Sequence, residues 1–527
     1  DDEGLVRDRF DCHYRHQVEA VRAIRQICFL LYKLEGCYSK EDEINIVERF
    51  IEVDKLLPGE DDEVSLSPEA ELAIGNATLL LQFLFMGLNT HDIQPKHGPG
   101  AVATGEDPHE KMNFKRIYET VEEVYPFTDY YFYNYSHLCD NLENLEDMEI
   151  IPHGIAEIRL VPKDSRGPRI ISMEPLEIQW IQQGLLNCIV PHLEQHSSPC
   201  SGRVNFTDQS INRDLALTNS FCGMFNTYDM KEASDRVSTW LVKKIFPPPL
   251  FRSLNACRSK ETLLPSGDRH TLNKFAPMGS AVCFPIEALV FWAVAVGSIR
   301  HIRTRGDLVG LPDIYVYGDD IVAQPGHYDK FAPVFEELFL EFNEDKCCTG
   351  RFFKESCGMD AFKLQSVNPV RVRAPWSESP SPAATLSYVT YVNSLRERGY
   401  FSAASFLQKE VTRVSGLIPF TNKPDHSGLM LKCDWSTTDL REELLKRWKS
   451  RYNNGLQRTE IRIPVVVPVK FSHGDPDWDQ LFRAESVRGV SNPSPFFPLE
   501  AAAPCSYTVP RRLTTRWKWV ALSALLT

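Results

Sequence analysis

DIYVYGDDIVA, residues 313–323, sets two aspartates side by side between two short apolar runs. Ile314 and Val316 before the pair, and Ile321 and Val322 after it, predict two strands of a β-hairpin. Gly318 supplies the tight turn, which projects Asp319 and Asp320 from the end of the sheet. Anions held this close raise each other's pKa unless a cation stands between them. A surface hairpin with a charged tip is the plainer alternative, and a lone G-D-D triplet is a weak signal. The apolar strands weigh against that alternative, because they hold the tip rigidly.

A further carboxylate source sharpens the prediction. In FNTYDMKEASDRVS (225–238), Asp229 ends an apolar strand and Asp235 follows six residues later at the start of a helix. Asp229 alone would also read as a helix N-cap. Placed beside the hairpin tip, it gives three convergent carboxylates. Such a cluster stays ionised only around a divalent metal, and Mg²⁺ favours oxygen-only ligation. Two such ions about 3.5–4 Å apart activate an attacking hydroxyl and stabilise a leaving pyrophosphate. The residues therefore predict a pair of magnesium ions carrying a nucleotide's phosphates.

The bulk properties are those of a large globular protein. At 527 residues and 60.2 kDa, the chain exceeds one ordinary core and predicts three or four subdomains. Hydrophobic residues make up 43% and charged residues 24%, which is globular composition. The chain starts at Asp1 without methionine, so it is read as trimmed or as lacking its true start, and no signal peptide is visible. Its longest apolar runs, 77–88 and 286–299, fall short of the roughly 20 residues a membrane-spanning helix needs. Fourteen scattered cysteines, with no C-x-x-C pair, fit reduced cytosolic thiols and speak against zinc. The net charge is −13, yet residues 371–527 hold 22 Lys and Arg against 14 Asp and Glu. That sign split permits a nucleic-acid surface, and an uneven solvated surface is the alternative.

Along the chain, 17–34 and 68–88 show helical periodicity, separated by an acidic loop at 59–64. HGPGAVATGE (97–106) is a punctuated turn, and YPFTDYYFYNY (125–135) is either core or a stacking surface. RLVPKDSRGPRIISMEP (159–175) alternates β-like runs with a basic turn. Residues 221–230 read as a strand running into one helix over 231–246. Further helices are predicted at 286–296 and 331–342, and a hairpin at 349–358. Beyond 370 the pattern predicts a helix over 439–452 and loops to the end.

The order of these motifs resembles the RNA-dependent RNA polymerases, specifically the replicases of single-stranded RNA bacteriophages of the leviviral type. HGPGA (97–101) resembles that family's Gly-Pro-Gly-Ala element, and VPKDSRGPRIISMEP (161–175) its basic nucleotide-channel motif. NFTDQSINRDLALTNS (205–220) resembles the segment before the first catalytic aspartate. DMKEASDRVS (229–238), MGSAVCFPIEAL (278–289) and YGDD (317–320) resemble the first three palm motifs, and NEDKCCTGRFFKESCG (343–358) the last two. The resemblance covers about half the chain.

Carried over by residue, the resemblance implies that Asp229, Asp319 and Asp320 bind two Mg²⁺ ions, for which Mn²⁺ can substitute. Lys163 and Arg169 match triphosphate contacts, with Arg159 and Arg166 in the same stretch as helpers. Asp235 matches the position that senses the ribose 2′-hydroxyl. The chain departs from the pattern at Gly279-Ser280, where an asparagine usually follows the glycine, at Cys283 in place of threonine and at Pro285 in place of an acid. Ser280 can still hydrogen-bond a sugar. Lys346 matches a general acid for departing pyrophosphate, with a surface ion pair to Glu344 or Asp345 as the alternative. Cys357 reads as packing.

The implied fold is an α+β right-hand polymerase with an antiparallel palm sheet backed by helices. Residues 1–220 would be N-terminal and fingers, 221–365 palm with 241–270 as a fingers insertion, and 366–527 thumb and tail. The implied activity is template-directed RNA synthesis from nucleoside triphosphates, begun without a primer on a positive-strand phage genome. RNA template and product, and host proteins including translation elongation factors, are the implied partners, in the cytoplasm of an infected bacterium. A reverse transcriptase and an inactive polymerase-shaped RNA-binding scaffold are the rivals.

Overall fold

Helical periodicity fills the first ninety residues of the computed structural model with three helices: α1 (Asp2–Phe29), α2 (Lys40–Leu56) and α3 (Pro68–Leu84). The structure describes residues 2–527 except 35–37, 108–109, 133–134, 141–144, 146, 196–197, 424–427 and 469–512. Ser39 and Asp42 form a capping box at the start of α2, and Ser67 caps α3 ahead of Pro68. The 125–132 stretch lies in the main core, with Tyr125, Phe127 and Tyr131 buried.

Next come β1 (Ile155–Asp164) and β2 (Gly167–Met173), an antiparallel pair with a register shift between Pro162 and Asp164. Two short strands, Glu261–Leu263 and Arg269–Thr271, extend this sheet on the β1 side. Helices α4 (Leu176–Leu193) and α5 (Ser210–Cys222) follow.

The predicted hairpin is present as β4 (Ile314–Tyr317) and β5 (Asp320–Ala323), and β3 (Asn226–Asp229) pairs antiparallel with the far edge of β5. Side chains alternate across the sheet. Tyr228, Ile321 and Val316 stand opposite one another and are buried. Tyr228 stacks on Tyr328 at 4.2 Å, so this face meets the helix α7 (Pro325–Glu337). Between β3 and β4 lies α6 (Cys283–Gly297), buried on every side and packed against α3, α7 and β4. A helix apolar all round needs such enclosure. The opposite sheet face, carrying Thr227, Asp229, Val322 and Asp320, meets α5 and the Phe353–Ser356/Met359–Phe362 hairpin. The α+β expectation therefore holds, with an antiparallel sheet backed by helices.

Several element predictions need correction: the strand read at 221–230 is only Asn226–Asp229, and the hairpin read at 349–358 is formed by Phe353–Ser356 and Met359–Phe362. The single helix over 231–246 is broken into Ala233–Arg236 and Thr239–Ile245. Ser238 caps the second piece and bridges to Lys274, so a tertiary pairing overrides the helical pattern. Helix α7 starts at Pro325, six residues early, because proline suits a first helical turn, and ends at Glu337 ahead of a left-handed Phe339. The helix predicted over 439–452 spans Thr437–Arg447, and Ser450–Asn453 is instead a strand. That strand pairs with Arg458–Pro468, which pairs with Leu513–Ala521, so the described part of the tail is a sheet and not only loops. Helix α1 reaches across to the hairpin region: Gln26 exchanges two hydrogen bonds with Val370, and Arg25 pairs with buried Asp360. Among the described residues no helix is long and apolar enough to cross a membrane.

Candidate active site

Strand register builds the centre of the site. Asp229 stands directly opposite Asp320 across β3 and β5, a spacing at which Cβ atoms are about 4.5–5.5 Å apart. Asp319 sits in the two-residue loop with Gly318, whose φ of +59° suits the primed turns that close tight hairpins. A Cβ at Gly318 would come within 2.4 Å of the Phe284 ring, so glycine is required for space as well as conformation. The Asp319 carbonyl accepts from the Met230 amide at 3.2 Å and ties the turn to the end of β3.

The three aspartates line one small cavity of about 100 Å³ together with Lys346, Glu355, Cys357 and Gly358. Lys346 Nζ donates to Asp229 Oδ2 at 2.9 Å, not to Glu344 or Asp345. Asn343 Nδ2 donates to the same oxygen at 3.1 Å, and the Cys357 amide donates to Asp320 Oδ2 at 2.8 Å. The function of Cys357 at this point is its backbone, on a left-handed φ of +49°. Burial, then the charge of Asp229, raises the pKa of Asp319, and burial, then Asp319, raises that of Asp320. For Lys346 burial acts to lower the pKa, but the hydrogen bond and charge of Asp229 outweigh it and leave the ammonium raised. The donor set is oxygen-only and suits a hard divalent cation. Among the described residues no three His, Cys, Asp or Glu side chains converge closely enough to hold a metal ion, and Asp229 Oδ2 is engaged by Lys346 and Asn343.

A larger cleft of about 880 Å³ shares Lys346 and Glu355 with this cavity. Lys163, Arg166 and Arg169 line it from β1 and β2, and Arg25, Arg371 and Arg373 from α1 and the segment after the hairpin. Arg166 is bidentate to Asp164 at 3.2 and 2.9 Å. Lys163 reaches solvent, yet burial of its stem and the neighbouring Arg169 lower its pKa. Arg159 pairs with Glu157 at 2.7 Å and does not itself line either cavity, whereas Ile171, its cross-strand partner, lines the larger one.

The remaining predicted residues gather at the start of α6. Gly279 has φ +129°, and a Cβ there would sit 2.0 Å from the Ser172 carbonyl oxygen. Ser280 is buried and its hydroxyl has no hydrogen-bond partner among the described residues. Cys283 lies 3.9 Å from Glu287, a buried carboxyl. Burial, then Asp319 and Asp235, keep Glu287 well above the usual carboxylate range. Asp235 bonds Lys274 at 3.1 Å. Glu287, Glu355, Asn343 and Lys274 were not among the predicted residues. A lone acid inside the apolar run IEALVFWAVAV was a signal for Glu287, whereas nothing local marked Lys274.

The stretch of chain that carries these residues is similar to known proteins. Residues 120–390, which contain the whole carboxylate cavity, match the family described as RNA replicase, beta-chain. The chain is similar to the RNA-directed RNA polymerase subunit beta of Qbeta virus (strain MX1), at 32% identity over 215 residues, 40% of this chain and 34% of that one. It is similar to the RNA-directed RNA polymerase beta chain of Enterobacteria phage GA, at 29% identity over 220 residues, 42% of this chain and 39% of that one. The chain thus spans little more than a third of the length of the relatives it matches. The solved RNA-dependent RNA polymerase of a human picorbirnavirus aligns with a TM-score of 0.40 and 12% identity, covering 79% of this chain and 82% of that one.

Proposed function

The chain belongs to the RNA replicase beta-chain family, and from that premise we propose that it is an RNA-directed RNA polymerase that copies a positive-strand phage genome from nucleoside triphosphates. The observation that carries this reading is the meeting of Asp229, Asp319 and Asp320, ninety residues apart in sequence, around one small cavity beside Lys346. Residues 221–365 act as palm with 241–270 inserted from the fingers, 1–220 as N-terminal region and fingers, and 366–527 as thumb and tail.

Asp229, Asp319 and Asp320 would hold two divalent ions, Mg²⁺ with Mn²⁺ as substitute. Bound there, such ions supply the charge that activates a 3′-hydroxyl and offsets the departing pyrophosphate. The raised pKa values of Asp319 and Asp320 are what an acidic cluster shows before a cation arrives. Lys163, Arg166 and Arg169 take the triphosphate in the basic cleft; Arg forks match phosphate oxygens. Lys346, lining both cavities, keeps a proton on Nζ that it can give to the leaving oxygen. Asp235, Gly279 and Ser280 form the sugar-reading corner, where the unpartnered Ser280 hydroxyl is available to a ligand group. Arg159, opposite the cleft-lining Ile171 and paired with Glu157, stands behind Lys163, Arg166 and Arg169 as a helper. Host proteins, translation elongation factors among them, complete the enzyme in the cytoplasm of the infected bacterium.

The test is incorporation of labelled ribonucleotides on an RNA template by the full chain, purified from bacteria with its accompanying proteins. Activity should require Mg²⁺ or Mn²⁺ and fall at least a thousandfold in Asp319→Asn and Asp229→Asn. Preference for deoxynucleotides would indicate a reverse transcriptase, and RNA binding without synthesis would indicate a scaffold.

A further inference from the structure

A fully buried lysine outside the recognised motifs, Lys274, pairs with Asp235. Lys274 is 0% exposed. Its ammonium lies 3.1 Å from Asp235 Oδ1, 3.1 Å from the Phe50 carbonyl oxygen and 3.3 Å from the centre of the Phe50 ring. The three N–H groups of an ammonium are thereby all engaged, two by oxygen and one by a π face. Burying a charge without partners is costly, so a lysine placed here keeps its position only while Asp235 faces it.

The backbone of Lys274 is fixed with equal care. Its amide donates to Asp54 Oδ1 at 2.9 Å, and Asp54, itself buried, also accepts from the Asn273 amide and from His270 at 2.9 Å. Phe50 and Asp54 both belong to α2. From the same helix Arg49 grips Glu232 through two hydrogen bonds of 2.7 and 3.0 Å, at a residue with a left-handed φ of +52°. Helix α2 therefore holds the 232–236 turn at both ends, once through Arg49 and once through Lys274. Among the described residues, Lys274 is the sole hydrogen-bond donor to the Asp235 carboxylate, and Oδ2 is left as a free acceptor.

We propose that Lys274 is a positioning residue for sugar selection: by fixing Oδ1 of Asp235 against α2, it presents the other carboxylate oxygen to the 2′-hydroxyl of the incoming nucleotide. This rests on the polymerase reading above. It assigns the accuracy of that choice to a helix nearly two hundred residues upstream of the sensing aspartate. A site built to accept a hydroxyl discriminates strongly against a ligand lacking it, provided the acceptor is held in place.

The experiment is a double-mutant cycle on the full chain, reading kcat/KM for a ribonucleotide over that for its 2′-deoxy counterpart. Lys274→Met is expected to lower this ratio at least tenfold, Asp235→Asn by a similar factor, and the double variant no further, because the lysine acts through the aspartate. An unchanged ratio in Lys274→Met, or additive losses in the double variant, overturns the proposal. Should Lys274→Met fail to fold, Phe50→Leu withdraws only the ring from the ammonium. Its ratio should fall about threefold, and an unchanged ratio there overturns the proposal equally. Wild-type protein without any synthesis would instead remove the polymerase reading itself.

Discussion

His97 shows how a single side chain in a motif can be structural and still leave a measurable signature. Its ring sits 4.4 Å from Trp180 and 5.7 Å from Phe114. Burial, then the charge of Lys111, lowers its pKa to about 4. The unfolded chain takes up this proton near pH 6.5 and the native state does not until about pH 4. The stability held by neutral His97 is thus fully present above pH 6.5 and is lost as pH falls toward 4, amounting to about 3 kcal/mol at most. Urea unfolding at pH 7 and pH 4.5 should show a smaller acid loss in His97→Phe than in wild type, by roughly 2 kcal/mol. At the same scale Lys111 donates to the carbonyls of Gly98 and Gly100 and so shapes the HGPGA turn from below. Asp229, Asp319 and Asp320 were legible as a group because Asp229 ends one apolar strand and the Asp319–Asp320 pair falls at the turn between two others. The Cys357 amide on Asp320 was not, since a backbone donor leaves no mark in residue type.

Elements decide where the motifs end up, and the start of α6 is the most constrained. Gly279 joins the tip of one sheet to this helix, with the Ser172 amide bonding the Met278 carbonyl at 2.7 Å. Gly279→Ala would drive a Cβ into the Ser172 backbone at a φ of +129°. The neighbour is main chain and cannot swing aside, so the variant should lose about 3 kcal/mol or more of stability. A melting curve within 2 °C of wild type would contradict this. The helix break at Ser238 shows why local periodicity failed nearby. KEASDRVSTWLVKKIF is helical in pattern throughout, but pairing of Ser238 with Lys274 supplies hydrogen bonds that a continuous helix would forgo. The tail strand Ser450–Asn453 was hidden for the same reason, because its partner Arg458–Pro468 lies across a turn.

Across the whole molecule, the acidic excess lies in residues 1–370 and the basic excess beyond them. Arg462, Arg516 and Lys518 are exposed on the tail sheet, beside exposed Trp517. If this sheet tracks RNA, affinity should fall steeply with salt, and Arg462→Gln with Arg516→Gln should reduce the log–log slope by about 0.7 per lost phosphate contact. A slope unchanged from wild type would take the sheet off the RNA path. Helix α1 adds a long-range tie, joining the first thirty residues to 360–372 along one wall of the basic cleft. While the α+β class came from the family resemblance, the amino-acid order by itself determined the hairpin with its paired acids, the partner strand ending in Asp229 and the basic β1–β2 turn. Those features follow from periods of two and of three to four residues and from turn chemistry, which are local. Only the tertiary structure decided that Asp229 faces Asp320, that Lys346 reaches back to Asp229, and that α2 braces Asp235 through Lys274. Each of these depends on contacts between segments tens to hundreds of residues apart, where register, burial and the enclosure of charge select the partner and no local pattern can.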